Sequence, residues 1–263
     1  MPAGPARMVL GIAGFRLAFV SPDPAFSGLL TGSYRPFLSR GRPDFTLDLR
    51  AVPGRQSPFR PAAQETPGRL RLRRGDFDLR LETGTRLGCL DCAPRLQAFD
   101  SFLRAFFSWL LPRENGLLLH AAGFALWGGA HVFPGRSGAG KSTLSRLAEG
   151  RARLLSDELV PVRRENGRWY AYGSPFWGEM RRGGEPLRVP LRGVYGLVKA
   201  GANSLEPAAP GRALRRLLRC AMNFSRQPAA AERLLRTAAL LALEKNAGEL
   251  RFSKSGRGFL DLL

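Results

Sequence analysis

The stretch Gly135-Arg136-Ser137-Gly138-Ala139-Gly140-Lys141-Ser142-Thr143 constrains this chain more than any other. It has a glycine, four free positions, then Gly-Lys-Ser, and so fits the phosphate-loop pattern at every fixed position. Its glycines allow a tight turn whose N–H groups converge on one point. Ala130-His131-Val132-Phe133 predicts a strand leading in. Leu144, Leu147 and Ala148 predict a helix over Lys141 to Glu149 leading out, and a helix N-terminus adds partial positive charge at the same point. A strand, a glycine-rich loop and a helix in this order make a cradle for the phosphates of ATP. Residues Gly135 to Thr143 are therefore expected to bind the nucleotide, with Lys141 reaching the β- and γ-phosphates and the Ser142 hydroxyl holding Mg²⁺. The bland alternative, a chance glycine-rich loop, does not account for the strand and helix on either side.

Phosphoryl transfer needs metal ligands and often a base for the acceptor hydroxyl. Arg153-Leu154-Leu155-Ser156-Asp157-Glu158 reads as a short strand ending in two acids, where the second metal-binding acid of such a site belongs. Asp157 lies 16 residues after Lys141, which leaves room for one short helix and one return strand only. The alternative is a strand end in solvent. His120 lies 21 residues before Lys141, on the run Leu117-Leu118-Leu119 that leads towards the loop. A strand beside the loop could bring it near Asp157; a structural histidine beside an apolar run is the competing reading.

The order His120, then Gly135 to Thr143, then Leu155-Ser156-Asp157-Glu158 resembles the catalytic domain of HPr kinase/phosphorylase, within the phosphoenolpyruvate-carboxykinase-like P-loop proteins. Glu179-Met180-Arg181-Arg182-Gly183 is similar to that family's later Glu-x-Arg-Gly segment. The resemblance covers roughly residues 117–200. It implies an α/β fold, a P-loop kinase domain of HPr-kinase/PEP-carboxykinase-like type. It also implies a catalytic set of Asp157, His120 and Lys141, with Asp157 as acceptor-side base or metal ligand, Glu158 and Glu179 assisting Ser142 and Asp157 at the metal, and Arg181 on phosphate. The chain departs from the family in having Asp157-Glu158 for a pair of aspartates and Ala121 for a glycine after the histidine. The first 112 residues do not resemble the family's N-terminal domain. The closer match is to the broader HPr-kinase-like group, some of which phosphorylate serine in ribosomal-peptide precursors.

Two domains are expected, an N-terminal β-rich region over 1–112 and a catalytic domain over 113–263. Phe45, Leu47 and Leu49 alternate with polar residues as a strand does, and residues 8–21 read as a strand interruptible at Gly11 or Gly14. Residues 53–68 read as a loop. Leu70 to Arg73 and Phe77 to Leu81 read as a hairpin around Arg74-Gly75-Asp76, a triplet taken here as turn chemistry. Gln97 to Leu111 carries an aromatic stripe at helical spacing, read as a helix bridging the two regions and ended by Pro112. Helices are also expected at about 211–222 and 229–246.

The chain carries 41 Lys and Arg against 21 Asp and Glu, a net charge of +20. Only Lys141, Lys199, Lys245 and Lys254 are lysines. Such charge favours acidic partners, but no RNA-binding, zinc-finger or basic-region pattern is present, so no specific nucleic-acid partner is expected. Three cysteines make no disulfide framework, and Cys89-Leu90-Asp91-Cys92 alone lacks the further ligands of a zinc site. Residues 116–135 contain no charged side chain, yet their glycines, histidines and Pro134 point to two buried strands, with no membrane span. With no signal peptide read, a cytoplasmic location is expected.

The resulting expectation is an ATP- and Mg²⁺-dependent kinase acting on a hydroxyl, with a serine of a peptide or small protein as acceptor; homo-oligomerisation is compatible with the sequence. A small-molecule kinase and a nucleotide-binding regulatory module are the alternatives. Phe176, Trp177, Arg181 and Arg182 are read as a loop gripping an extended acceptor, and Arg212, Arg215, Arg216 and Arg219 as one helix face suited to an acidic peptide.

Overall fold

The structure is a computed structural model and describes residues 6–55, 60–254 and 256–263. The fold is mixed α/β, mostly strands, with two sheets in two units. One unit holds the chain up to Trp109 together with Asn223–Gln227; the other holds Leu110–Met222 and Pro228–Leu263.

In the first unit, β1 (Ala6–Ile12) and β2 (Phe15–Ser21) form a hairpin, where the sequence suggested a single interrupted strand. Its two-residue turn, Ala13-Gly14, has φ of 53° and 81°, the left-handed pair that matches the twist of a hairpin. Helix α1 (Pro24–Ser33) follows. Its first turn is capped by Asp23, whose carboxylate accepts from the Phe26 N–H at 2.9 Å. Next come β3 (Phe45–Ala51), β4 (Ala62–Thr66), β5 (Arg69–Arg74), β6 (Phe77–Glu82), β7 (Leu87–Cys92) and α2 (Leu96–Leu110). The sheet order is β1-β2-β3-β7-β6-β5-β4.

Strand β4 occupies part of the span expected to be a loop, residues 56–59 of which lie outside the described residues. Ala62-Ala-Gln-Glu-Thr66 has no apolar alternation; the strand forms because the β5 edge offers its backbone groups in register, Ala62 opposite Arg73 through Thr66 opposite Arg69. The Arg74-Gly75-Asp76 triplet is indeed a turn. Asp76 is buried, bound bidentately by Arg74 at 2.7 Å, which leaves it closed to any adhesion partner.

Helix α2 supplies the core of this unit. Phe99, Phe102 and Phe106 are fully buried and meet Phe19, Phe77 and Phe45 from three strands, mostly edge to face at centroid distances of 5.0–6.2 Å. Each buried phenyl contributes about 1.5–3 kcal/mol, with roughly 0.5–1.5 kcal/mol more from such ring geometry. The stripe that read as a bridging helix is thus the cover of the first sheet. Cys92 is buried and Cys89 half-buried on β7, both as free thiols; burial pushes the Cys92 thiol up to about 12 and raises Cys89 as well, which disfavours the reactive thiolate.

In the second unit, β8 (Gly116–Leu126) and β9 (Gly129–Pro134) are the two buried strands expected over 116–135. Helix α3 (Lys141–Ala148) is followed by β10 (Arg153–Ser156), β11 (Leu159–Glu165), β12 (Arg168–Tyr172), β13 (Arg188–Lys199) and β14 (Ser204–Pro207). Helices α4 (Pro210–Cys220) and α5 (Pro228–Glu244) precede β15 (Asn246–Phe252). The path through the sheet is β10-β8-β11-β12-β13-β15-β14, and β9 pairs with both β8 and β13. Strands β9, β13 and β15 run parallel. The sheet is covered on both faces. Leu217, Leu234, Ala238 and Leu241 of α4 and α5 pack in one apolar cluster, while Leu144 and Ala148 of α3 join Phe252, Phe259 and Leu260 in another. Such burial on both faces explains why β8 reads as a continuous apolar run. Among the described residues no helix is long and apolar enough to cross a membrane.

Candidate functional site

The glycine-rich loop leaves the end of β9 and enters α3. Gly138 and Gly140 have φ of 79° and 98°, which side-chain-bearing residues rarely adopt. Gly140 has a second constraint, because a Cβ there would come within 2.9 Å of the Phe252 ring. The loop closes on itself through Lys141, whose Nζ donates to the carbonyls of Gly135 (2.9 Å) and Arg136 (3.1 Å). Burial pushes the Lys141 ammonium below its ordinary pKa, opposed chiefly by the charge of Glu158.

His120 sits where β8 changes partner. Up to His120 the strand pairs with β11, and from Ala121 it pairs with β9. Two backbone bonds at this point tie the site together. The Gly135 N–H donates to the His120 carbonyl at 3.2 Å, and the Ala121 N–H donates to the Glu158 carbonyl at 3.0 Å. The start of the loop and the acid pair are thereby fixed to adjacent residues of one strand. The side chains follow: His120 Nε2 lies 3.5 Å from a Glu158 carboxylate oxygen, both about one-third exposed.

Asp157 is almost wholly buried. Its Oδ1 accepts from the Gly178 N–H and its Oδ2 from the Met180 N–H, each at 2.9 Å. Ser156 completes the corner, its hydroxyl donating to the Phe176 carbonyl at 2.9 Å and accepting from the N–H groups of Glu158 and Leu159. The segment Ser174 to Gly184, read from sequence as a loop, contains no strand or helix but is held here by the residues around Asp157. Gly184 closes it, since a Cβ there would lie 1.8 Å from the Leu155 carbonyl oxygen.

These parts enclose one cleft of about 540 Å³. The expected site residues His120, Lys141, Ser142, Asp157, Glu158 and Glu179 all line it, as does Arg181. Arg181 itself has a φ of 52°, a strained backbone for a residue of its size. Glu179 is largely exposed and lies 3.6 Å from Arg146. Among the described residues there is no group of three or more His, Cys, Asp or Glu side chains that could hold a metal alone. The oxygens of Ser142, Asp157 and Glu158 are the hard donors Mg²⁺ takes, and it commonly needs only one or two carboxylates beside substrate phosphates.

Other expectations need correction. Phe176 is fully buried and cannot grip a ligand, whereas Trp177 is half exposed. Arg182 pairs with Glu149 and lines a different cavity, beside Gly150 and Glu185. Of the α4 arginines, Arg212 and Arg216 are bound to Glu249 of β15 at 2.9 and 2.6 Å, so the four do not form a free basic face.

Lys199 and Lys254 also line the cleft. Neither was among the expected site residues, although their type is a signal: three of the four lysines in this arginine-rich chain line the cleft.

No protein-family model matches the chain, and no curated protein matches its sequence.

Proposed function

We propose that the chain is an ATP-dependent kinase of the HPr-kinase-like P-loop type, which transfers a γ-phosphoryl group to a hydroxyl, most simply a serine of a peptide or small protein. The observation that carries this reading is the meeting of Lys141 and Ser142 of the glycine-rich loop with Asp157, Glu158 and His120 in one cleft. A nucleotide-binding module without chemistry needs the loop and a metal ligand, whereas a kinase also needs a base beside the γ-phosphate, a role that suits Asp157 with its free acceptor sites.

In this reading the loop N–H groups and Lys141 bind the β- and γ-phosphates and offset charge as it builds in the transition state. Ser142, Glu158 and Asp157 would hold Mg²⁺, which when bound neutralises charge on the phosphates. Each Asp157 oxygen keeps one acceptor site beyond its backbone bond, so the carboxylate can take the proton of the acceptor hydroxyl. The acceptor oxygen then bonds to phosphorus, and the bridging oxygen leaves with its electron pair on ADP. His120 orients Glu158 across their 3.5 Å contact.

The test is transfer of labelled γ-phosphate from Mg²⁺-ATP to candidate acceptors, beginning with small proteins encoded by neighbouring genes. Labelled serine in one of them, with little ADP formed in its absence, is the expected result. Rapid ADP formation that no acceptor accelerates would identify an ATPase or switch instead. Labelling of a small metabolite alone would establish the small-molecule alternative.

A further inference from the structure

We propose that Lys199 and Lys254 form a second anion subsite, which holds the α-phosphate end of the nucleotide; the inference rests on the reading of the cleft as a nucleotide site. Across the sheet, the groups facing the cleft fall in a spatial order set by the strands. Asp157 and Glu158 follow β10, His120 stands on β8, the glycine-rich loop follows β9, Lys199 ends β13, and Lys254 follows β15. The last three strands are parallel, so the loop and both lysines lie beyond carboxyl ends on one edge, where ligands of such sheets bind. The cleft therefore has an acidic wall and a basic wall with the loop between them.

A triphosphate in this cleft has one direction that suits its charge. Its terminal phosphate lies on the loop towards the acids, where metal and acceptor are handled. The remainder leads away from the carboxylates, over the loop, to the lysines. The reach is short, as the Lys199 Cε lies 3.8 Å from where a Cβ on Gly140 would be, directly at the start of α3.

The basic wall is built rather than incidental. Lys199 pairs in register with Phe252, and the Ala200 N–H donates to the Phe252 carbonyl at 3.1 Å. The Ser253 N–H donates to Asn203 Oδ1 at 2.8 Å, which ties the turn after Lys199 to the residue before Lys254. The Phe252 ring against Gly140 fixes both to the loop. Neighbouring arginines have acid partners, Arg251 with Glu206 at 3.1 Å and Arg212 with Glu249 at 2.9 Å. Among the described residues neither Lys199 nor Lys254 is in an ion pair. A compact, swivelling ammonium suits a phosphate that shifts during turnover better than a fixed guanidinium fork does.

Calorimetric titration with ATP, tripolyphosphate and pyrophosphate, all with Mg²⁺, tests this on the wild type, the double variant Lys199→Gln with Lys254→Gln, Lys141→Ala, and Lys245→Gln. The last removes a lysine outside the cleft and controls for net charge. Melting temperatures without ligand establish that each variant is folded. We expect the double variant to weaken ATP and tripolyphosphate about tenfold or more, on the scale of lost charge-assisted contacts. Pyrophosphate, short enough for the loop alone, should change by less than about threefold, and Lys245→Gln should match wild type throughout. Unchanged ATP affinity in the double variant, with binding lost in Lys141→Ala, would overturn the subsite while leaving the nucleotide site standing. Equal weakening of pyrophosphate would also overturn it, reducing the lysines to a general field. ATP affinity unchanged in Lys141→Ala as well would instead bring down the nucleotide reading itself.

Discussion

The outer strands of the first sheet and the cleft of the second unit handle positive charge in opposite ways. Arg69, Arg71, Arg74 and Arg80 each meet an acid: Glu82 at 3.0 Å, Asp78 at 2.9 Å from Nε, Asp76 at 2.7 Å, and Asp91. In the cleft Lys199 and Lys254 are exposed, and the buried acid Asp157 accepts from backbone N–H groups, with no guanidinium bonded to it among the described residues. A net charge of +20 read from composition suggests a surface seeking polyanions. The comparison teaches that total charge does not say where a ligand meets cations: the 41 Lys and Arg outnumber the 21 Asp and Glu, but Lys141, Lys199 and Lys254 are gathered, with Arg181, around one cleft. An exposed pair such as Arg69–Glu82 contributes only about 0–1 kcal/mol, whereas the cleft groups should give large effects.

The largest effect is expected at Asp157. Asp157→Ala leaves the partly buried Gly178 and Met180 N–H groups without their acceptor, which should cost about 1–3 kcal/mol in chemical denaturation. Asp157→Asn keeps the shape but places an amide donor against a backbone donor and removes basicity. Phosphoryl transfer should then fall about 10²-fold or more, the range lost with a positioned base. Near-normal transfer in Asp157→Asn would show that this carboxylate only positions the loop and would shift the base role to Glu158.

His131 offers the next largest. It is buried on β9, stacked on Tyr195 at 5.9 Å and near Phe124. Burial, helped by the charge of Arg192, pushes its pKa down to about 4. Well above about pH 6.5, the ordinary imidazole pKa, the ring is neutral whether the chain is folded or not. As pH falls from there towards 4 the unfolded chain takes up the proton first, so stability falls, by about 3 kcal/mol over that window. His131→Phe removes this titration. The difference in unfolding free energy between wild type and His131→Phe should therefore change between pH 7 and pH 4.5; a constant difference would show that the ring is not held neutral.

How much of this was readable in the sequence depended on how far apart the partners lie. The strand–loop–helix around Lys141 is local, so its residues announce it in order. The aromatic stripe of α2 announces a buried face but not which sheet it covers. Lys199 and Lys254 become neighbours only because β13 and β15 pair in parallel, with Lys199 opposite Phe252, a contact across more than fifty residues. The arginines of α4 misled for the same reason: helical spacing aligns Arg212 with Arg216, and nothing in that spacing shows Glu249 waiting on a distant strand. Asp157 was legible as an acid at a strand end, but its engagement with the 178–180 backbone depends on how a loop without regular structure returns.

Lys141 comes third. With ATP and Mg²⁺ at about 100 times Kd, binding should stabilise the protein by roughly 2.7 kcal/mol, on the order of 5–10 °C in Tm for a chain of this size. Lys141→Ala should abolish most of that shift. Its own stability without nucleotide should change much less, since the two carbonyls that it serves, on Gly135 and Arg136, remain close to solvent. A full shift in Lys141→Ala would place the nucleotide elsewhere and break the contrast between cleft and surface.

The smallest effect is expected from the surface pairs, and its smallness is the point. Arg80 holds Asp91 across the β6–β7 ladder, and that carboxylate keeps the guanidinium firmly protonated. Arg80 is half exposed and Asp91 about one-quarter exposed, so water and salt still reach the pair, and its attraction is screened and opposed by the entropy of fixing two side chains. Arg80→Ala should cost about 0.2–1 kcal/mol in dilute buffer, and a double-mutant cycle with Asp91→Ala should assign most of it to the pair. In 1 M NaCl, where the screening length is about 3 Å, the coupling should fall towards zero. ATP affinity should be the same as wild type in both salts after its own salt dependence is subtracted. A coupling that survives 1 M NaCl would mean the first sheet depends on its charge pairs for more than solubility. A loss of ATP affinity comparable to that of Lys199→Gln with Lys254→Gln would show that total charge, rather than the grouping of a few lysines, attracts the nucleotide.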